Sequence, residues 1–576
     1  LATWVDGMPV NQRSHAHGQG WTDLNFLIPE LVGRLDYRKG PYSAREGDFS
    51  SAGVASLSYA NRLVKSIASA TVGQDGYART MLAGSPEVAG GSLLYALELM
   101  KNDGPWTRPD GYRKVNAVLR YSQGYANNGW DVTAMSYSGH WNSTDQIPLR
   151  AVEDGRIGRF DLIDDSDGGK ARRQSISGIW RSTDTDSASK VSAYVIRNEL
   201  ELFSNFTYFL NDPVNGDQFA QPDRRVTTGL DATHTWHMHR SDTLSSDLTV
   251  GAQLQNDNIY NGLYDTRKRA RIATTREDHI VETSGAVFVE NATRWSDALR
   301  TVVGVRANNY RFRVDGDRPE NAGKAHDTLV TPTLNIAYGP WASTELYANY
   351  GHGFHSNDAR GTVATVDPKT LDAVDRTPGL VRSRGVELGL RSEAIPKMQT
   401  SVALYRLDFD SELTYIGDAG NTEAGDPSRR YGIEFSNYYR PYKWLSVDFD
   451  AAWARARSLG NRIPGAIEGV AQLGVTVDRS GPWSGSLRLR WFGPRPLIED
   501  DSVRSKASVT LNGRVGYQLA KDLQLELEAF NLTNRRASAI DYFYESQLAG
   551  ETAPVADVHF HPIEPRSLRL TLVKTW

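Results

Sequence analysis

The sequence predicts an all-β protein, a single closed antiparallel transmembrane β-barrel of about 22 strands, and three observations carry that reading. The 576 residues contain no Pro/Ser-rich linker, no shift of composition and no solenoid-length repeat that would divide them into several soluble domains. Mean hydropathy is −0.49, and no apolar run approaches the roughly 18 residues of a membrane helix. That excludes a helical membrane protein but not a barrel, in which only alternate residues face lipid. The third observation is the alternation itself, which places charged residues on the face opposite the apolar one.

The last strand shows it best. In Ser567–Trp576, Leu568, Leu570, Leu572 and Trp576 share one face, and Ser567, Arg569, Thr571 and Thr575 the other. Leu248, Val250, Ala252 and Leu254 oppose Thr249, Gly251, Gln253 and Gln255; Leu334, Ile336 and Tyr338 oppose Thr333, Asn335 and Ala337. Val447, Phe449, Ala451 and Trp453 oppose Asp448 and Asp450, and Val509, Leu511, Val515 and Tyr517 oppose Thr510, Asn512, Arg514 and Gln518. Such Asp and Arg side chains would be costly in a dry core. In a hydrated lumen they are cheap.

The breaks between these segments alternate in length, which orients the barrel. Short turns at Gly339-Pro340-Trp341-Ala342, Arg440-Pro441-Tyr442-Lys443 and Arg479-Ser480-Gly481-Pro482 take turns with long polar excursions. The long ones are read as Ala151 to Lys170, Asn211 to Arg225, Arg267 to His279, Asp315 to His326, Gly351 to Val381, Asp418 to Ser428 and Arg535 to Pro562. Long loops face outside and short turns face the periplasm, and an even strand number leaves both barrel ends periplasmic. A barrel of that size holds a plugged lumen.

Composition narrows the function. With no Cys, disulfides, thiol catalysis and Cys-ligated zinc are excluded, and a net charge of −4 shows no bias towards nucleic acid. No signal peptide is seen, and Leu1-Ala2-Thr3-Trp4-Val5 already lies in an apolar run, so the natural N-terminus is expected upstream.

Residues 1–65 break the barrel pattern. Trp4-Val5-Asp6-Gly7-Met8-Pro9-Val10 and Val32-Gly33-Arg34-Leu35-Asp36-Tyr37-Arg38-Lys39-Gly40-Pro41-Tyr42-Ser43-Ala44, followed by Gly47 and Gly53, resemble the second half of the plug domain of TonB-dependent outer-membrane receptors. Ala529-Phe530-Asn531-Leu532-Thr533-Asn534-Arg535 is similar to the family's penultimate strand end, and Trp576 to its terminal aromatic residue. One departure is Lys39 directly before Gly-Pro, where the family usually has Arg; a guanidinium fork and an ammonium are not equivalent partners for wall carboxylates. Where the family's haem receptors tend to carry Arg-Ala-Pro, this chain reads Gly351-His352-Gly353-Phe354-His355-Ser356-Asn357-Asp358-Ala359-Arg360, which disfavours haem.

The resemblance implies the C-terminal half of a plug over residues 1–65 and a barrel over 66–576, in the outer membrane of a Gram-negative bacterium. It implies active import of a scarce solute, such as a siderophore-like metal chelate or another small organic ligand, without a cofactor or catalysis. TonB would supply energy, and lipid, lipopolysaccharide and a surface accessory protein are the further partners expected.

Candidate ligand residues are those the topology gathers at the extracellular end. The resemblance makes an apical, ligand-touching loop of the stretch holding Asn11, Gln12, Ser14, His15, His17, Gln19 and Trp21. His352 and His355 stand at the base of one long loop, Tyr542, Tyr544, His559 and His561 in the last, and His140 tops another strand. Imidazole ligates metals and titrates near neutrality, so the group suggests a metal chelate or an anionic aromatic molecule.

Other clusters are read as structural. His234, His237 and His239 fall near a periplasmic turn; Arg267-Lys268-Arg269-Ala270-Arg271, which could meet lipopolysaccharide or an acidic ligand, reads as a solvated charge run. Asp161, Asp164, Asp165 and Asp167 before Gly168-Gly169 offer oxygens to calcium but lack the spacing of a helix-loop-helix site. No Gly-x-Ser-x-Gly elbow, His-Glu-x-x-His helix or phosphate loop is present. The rivals are a passive large porin, which the plug motifs argue against, and a secreted β-rich enzyme, which a repeat of roughly 40 to 50 residues would favour.

Overall fold

The structure is a computed structural model that describes residues 1–124, 127–143, 145–411, 414–416, 421–423 and 425–576. Its main element is a closed antiparallel barrel of 22 strands, joined by the two-residue segments Glu87–Val88 and Asn461–Arg462. Closure is made by the last strand, Ser567–Thr575, on the first, Ile67–Gly73, in a register running from Arg569↔Gly73 to Thr575↔Ile67. No helix of the described residues is long and apolar enough to cross a membrane.

Alternation sorts the wall as the sequence predicts. Leu254, Leu334, Val515, Leu568, Leu570 and Leu572 are exposed on the outer face. Their inward neighbours are tied together in the lumen: Arg488 donates to Asp448 at 3.0 Å, Gln472 to Asp450 at 2.7 Å, and the Thr71 and Thr571 hydroxyls bond across the closing pair at 2.9 Å. Exposed Trp236, Trp341, Trp483 and Trp576 lie near the end that carries the short turns, where amphipathic indoles suit a membrane interface.

Loops of residues 145–167, 205–218, 357–379, 493–507 and 531–566 crowd the opposite end. The largest difference from the sequence reading lies at Arg267–His279, which is no loop. Ser245–Arg267 and Ala270–Arg294 form one long hairpin, turning at Lys268 and Arg269 with φ of 49° and 66°. A strand of 25 residues extends roughly 80 Å, far beyond the bilayer. Both faces of its tip are therefore wet, and the alternation that marks strands is lost there. Other excursions shrink: strands begin at Gly168 and Phe219, one runs on to Ser356, and only residues 317–322 separate Gly316 from Gly323. The last loop folds into its own hairpin, Ser538–Ser546 with Val555–Pro562, extended by Ile147–Pro148. Asp418, where another excursion was expected to start, lies outside the described residues.

Residues 1–59 build a second, four-stranded sheet from β1 (Ala2–Val5), β2 (Met8–Pro9), β3 (Val32–Lys39) and β4 (Gly53–Tyr59), in the order β2-β1-β4-β3. Its polar contacts reach the wall on many sides: Asp6 with Arg120 at 3.1 Å, Glu30 with Arg79 at 2.6 Å, Ser14 with Glu282 at 3.0 Å, Ser43 with Glu290 at 3.0 Å, and Lys39 with Glu434. Partners drawn from strands around the ring place this sheet in the lumen. Lys39, the departure from the family pattern, thus still meets a wall carboxylate. Pro41 approaches the wall where Gly351, Gly353 and Gly385 leave room; a Cβ on Gly351 would stand 1.9 Å from the Pro41 carbonyl oxygen. Val5, Met8, Phe26, Ile28 and Leu31 form a shared core with Leu94, Val118 and Ile196 of the wall.

Candidate functional site

The chain from Val10 to Trp21 leaves β2, turns and comes back on itself. Gln12 and Trp21 form an antiparallel bridge, with the Gln12 N–H donating to the Trp21 carbonyl at 2.8 Å. Asn11 staples the base: its Oδ1 accepts from the Thr3 N–H at 2.7 Å and its Nδ2 donates to Thr22 at 3.0 Å. Ser14, at φ 46°, sits at the tip and is locked to the wall, donating to Glu282 and accepting from the Ala359 N–H at 2.8 Å. Gln19 accepts from the Ser14 N–H at 2.6 Å and donates to the Ser356 carbonyl at 2.9 Å. The loop is thus tied both to itself and to the surrounding barrel.

Beside it lies a cavity of 690 Å³ at the end of the barrel that carries the long loops. Asn11, Gln12, His15 and Trp21 line it from the plug, His561 from the last loop, and Tyr112, Tyr137, Trp141, Asn142 and Asn198 from the wall. His15 is fully buried and stacks on Trp21, with ring centroids 5.3 Å apart. Burial pushes its imidazole down to about 3 despite Asp223, 3.9 Å from Nε2, so it is neutral. His17 packs edge-on against Trp21 at 5.0 Å and bonds Gln221 at 2.8 Å, behind the cavity lining.

The remaining sequence candidates go elsewhere. His352, expected at a loop base, is on a continuing strand, and the two-residue period puts it with exposed Tyr350 on the outer face, their side chains bonded at 2.7 Å. His355 leans towards Phe409, with centroids 6.3 Å apart. His559 is buried inside the last hairpin, bonded to Ser546 at 2.7 Å and stacked on Tyr544 at 3.8 Å, and burial pushes it down to about 4. The Tyr544 hydroxyl donates to the Phe206 carbonyl at 3.2 Å, and Tyr542 is exposed. A single vestibule shared by all the named His side chains is thus corrected to one cavity holding His15 and His561.

Of the acidic run that offered oxygens to calcium, Asp161, Asp164 and Asp167 are engaged by the protein's own donors. Asp161 accepts from Thr107, Asp164 from Ser166 at 2.8 Å and Asn205 at 2.8 Å, and Asp167 from Gln218 at 3.1 Å. Among the described residues no group of three His, Asp, Glu or Cys side chains is placed to hold a metal ion. His234 bonds Ser189 at 2.7 Å and His237 bonds Asp247 at 2.8 Å, near the short turn of residues 240–244.

Sequence reasoning missed Asp23, Asn25, Phe26, Asn102, Asp110 and Arg173 in the same lining. Their strands are legible, but which inward residue meets an unfilled volume depends on the plug, which no local pattern encodes.

The family model of the TonB-dependent receptor-like β-barrel matches residues 101–532. The chain belongs to this family. Its place is therefore the outer membrane of a Gram-negative bacterium. A comparison with the curated proteins returns no match. Among solved structures, the ferric yersiniabactin uptake receptor FyuA of Yersinia pestis is 15% identical, with all of this chain and 88% of that one aligned at a TM-score of 0.77. The siderophore receptor PiuA of Acinetobacter baumannii is 12% identical over all of this chain and 89% of its own, TM-score 0.80. The copper transporter OprC is 16% identical over all of this chain and 90% of its own, TM-score 0.76. At such identities the likeness is one of fold.

Proposed function

We propose that this TonB-dependent receptor imports a scarce small solute, of the metal-chelate kind or another compact organic ligand, by binding it in the cavity between the apical loop and the wall. Residues 1–65 act as the C-terminal half of the plug and residues 66–576 as the conduit; the chain does no catalysis. The observation that carries the reading is the 690 Å³ cavity at the long-loop end, built jointly by the plug and the barrel. Its volume lies within the range of small-molecule sites, and it combines aromatic walls with a few polar groups. Because the same apical loop is bonded to Glu282, Asn261, Gln221 and Ser356 of the wall, a solute seated against Trp21 acts on the contacts that hold the plug. Binding then shifts the population of plug states offered to TonB, which supplies the energy.

The test is uptake by a strain deleted for this receptor and complemented with it, supplied with single ferric chelates, copper complexes and small organic nutrients in turn. Complementation should restore uptake of one class, and Trp21→Ala should abolish that gain while leaving the amount of folded barrel unchanged. Restoration by the Trp21→Ala variant equal to that of the unaltered chain would place the solute elsewhere.

A further inference from the structure

On the outer face of the wall, the neighbouring strands Leu380–Ser392, Met398–Phe409, Ser428–Tyr442 and Leu445–Ser458 carry three consecutive rows of outward side chains that change character over a short height. The lowest row is apolar: Leu388, Leu404, Ile433 and Trp453 are direct cross-strand neighbours, and all are exposed. Two residues nearer the long loops the row reads Val386, Arg406, Tyr431 and Arg455, and two residues further it reads Arg384, Asp408, Arg429 and Arg457. Five guanidinium groups thus stand directly above exposed apolar surface. The carboxylates of this face do not match them in number. Asp408 accepts from Arg406 at 2.8 Å and from Arg429 at 2.6 Å, and Asp410 meets Arg384 at 3.1 Å. Arg455 and Arg457 form no ion pair among the described residues: the Arg455 guanidinium lies over the Trp453 ring at 5.3 Å, and Arg457 donates to the Gly460 carbonyl at 2.5 Å. The row ends on Arg462, which Glu468 and Asp501 neutralise, and exposed Asp426 stands in the loop beyond Ser428. Arg429 and Arg457 face each other in register, and like charges directly opposite across two strands destabilise the pair. An anion between them would reverse the sign.

We propose that these rows hold a phosphate-bearing lipid of the outer leaflet, its phosphate between Arg429, Arg455 and Arg457 and its acyl chains along Leu388, Leu404 and Ile433. The depth of the phosphate follows from the apolar row, because exposed aliphatic side chains on the outside of a barrel face hydrocarbon and the first charges above them lie among the headgroups. Tyr431 and Trp453 stand at the same boundary with ring centroids 6.5 Å apart, where amphipathic rings are favoured. Every cation of the patch is Arg, whose planar fork meets phosphate oxygens two at a time, as the ammonium of Lys does not. A dissolved anion has no need of that depth. A lipid headgroup is fixed there.

The test uses the full chain purified in a neutral detergent and titrated with lipid A, which carries phosphates on an acylated disaccharide, and separately with dephosphorylated lipid A. Bound lipid is counted by native mass spectrometry. The phosphorylated lipid should bind at least about tenfold more tightly, since each guanidinium near an anionic headgroup adds to the attraction. Arg429→Gln, Arg455→Gln and Arg457→Gln together should remove most of that preference and leave binding of the dephosphorylated lipid unchanged. Should that form lower the folded fraction, Arg429→Lys with Arg457→Lys keeps the charge without the fork and should lose part of the preference. Equal binding of the two lipids, a preference undiminished by either set of changes, or displacement of bound lipid by millimolar inorganic phosphate would each overturn the proposal, the last by assigning the patch to a soluble anion. Neither a transported solute nor TonB enters this measurement, so its failure would leave the import reading standing.

Discussion

His15 lies flat against Trp21, with ring planes 6° apart, and its Nδ1 accepts the N–H of His17 at 3.1 Å. The buried imidazole thus shapes the wall of the cavity and satisfies the loop behind it. His15→Ala removes both functions, leaving an orphaned N–H and a void, at a local cost of about 2 to 4 kcal/mol. Uptake is expected to fall several-fold at constant barrel abundance, because no barrel strand pairs through this loop. Loss of uptake and of heat-modifiable barrel in parallel would contradict that separation.

Arg13 is the buried hub between plug and wall. Its guanidinium reaches Asp48 at 2.9 Å, Ser284 at 2.9 Å and the Tyr310 hydroxyl at 2.8 Å, with Asp257 and Glu282 at 3.8 and 3.9 Å. Removing one partner from such a network costs about 3 to 5 kcal/mol. Arg13→Ala should loosen the plug while the barrel persists, seen as faster proteolysis of residues 1–59 and greater sensitivity of cells to bulky antibiotics. Unchanged sensitivity would show that the network does not hold the plug.

The last-loop hairpin should be sensitive to acid. The folded value of His559 is depressed by burial, so between its ordinary value and about 4 the opened hairpin binds a proton that the closed one does not. Stability is therefore full above the ordinary histidine value and is lost as pH falls, by up to about 1.4 kcal/mol per pH unit. Limited proteolysis within residues 538–562 should accelerate from pH 7.5 to pH 5, and His559→Asn should flatten that dependence. Equal acceleration in the variant would assign the effect to another group.

Trp576 ends the closing strand, exposed, with Ser66 bonded to its main chain at 3.0 and 3.2 Å. Trp576→Ser keeps that pairing but removes the interfacial indole. The folded, heat-modifiable fraction in outer membranes should drop; an unchanged fraction would deny Trp576 a part in assembly.

The barrel was legible wherever lipid and lumen lie on opposite faces, because Leu568 and Arg569 then have opposite requirements. It ceased to be legible at Arg267–His279, where water bathes both faces and the turn at Lys268 and Arg269 lacks the Gly or Asn that usually announces positive φ. The plug loop could be recognised by its resemblance, yet the parity of His352 could not, since extending the strand to Ser356 decides which face each residue takes. Gly351 and Gly353 were visible as residues, but their reason, the passage of Pro41, is a contact across the lumen.

The central claim is energised transport through a plugged barrel, and the most direct test is initial uptake rate against solute concentration in cells with and without TonB. The account predicts saturable uptake with TonB and none above background without it, with Trp21→Ala removing the saturable component. Uptake that rises linearly with concentration and is indifferent to TonB would contradict it and make the protein a passive pore.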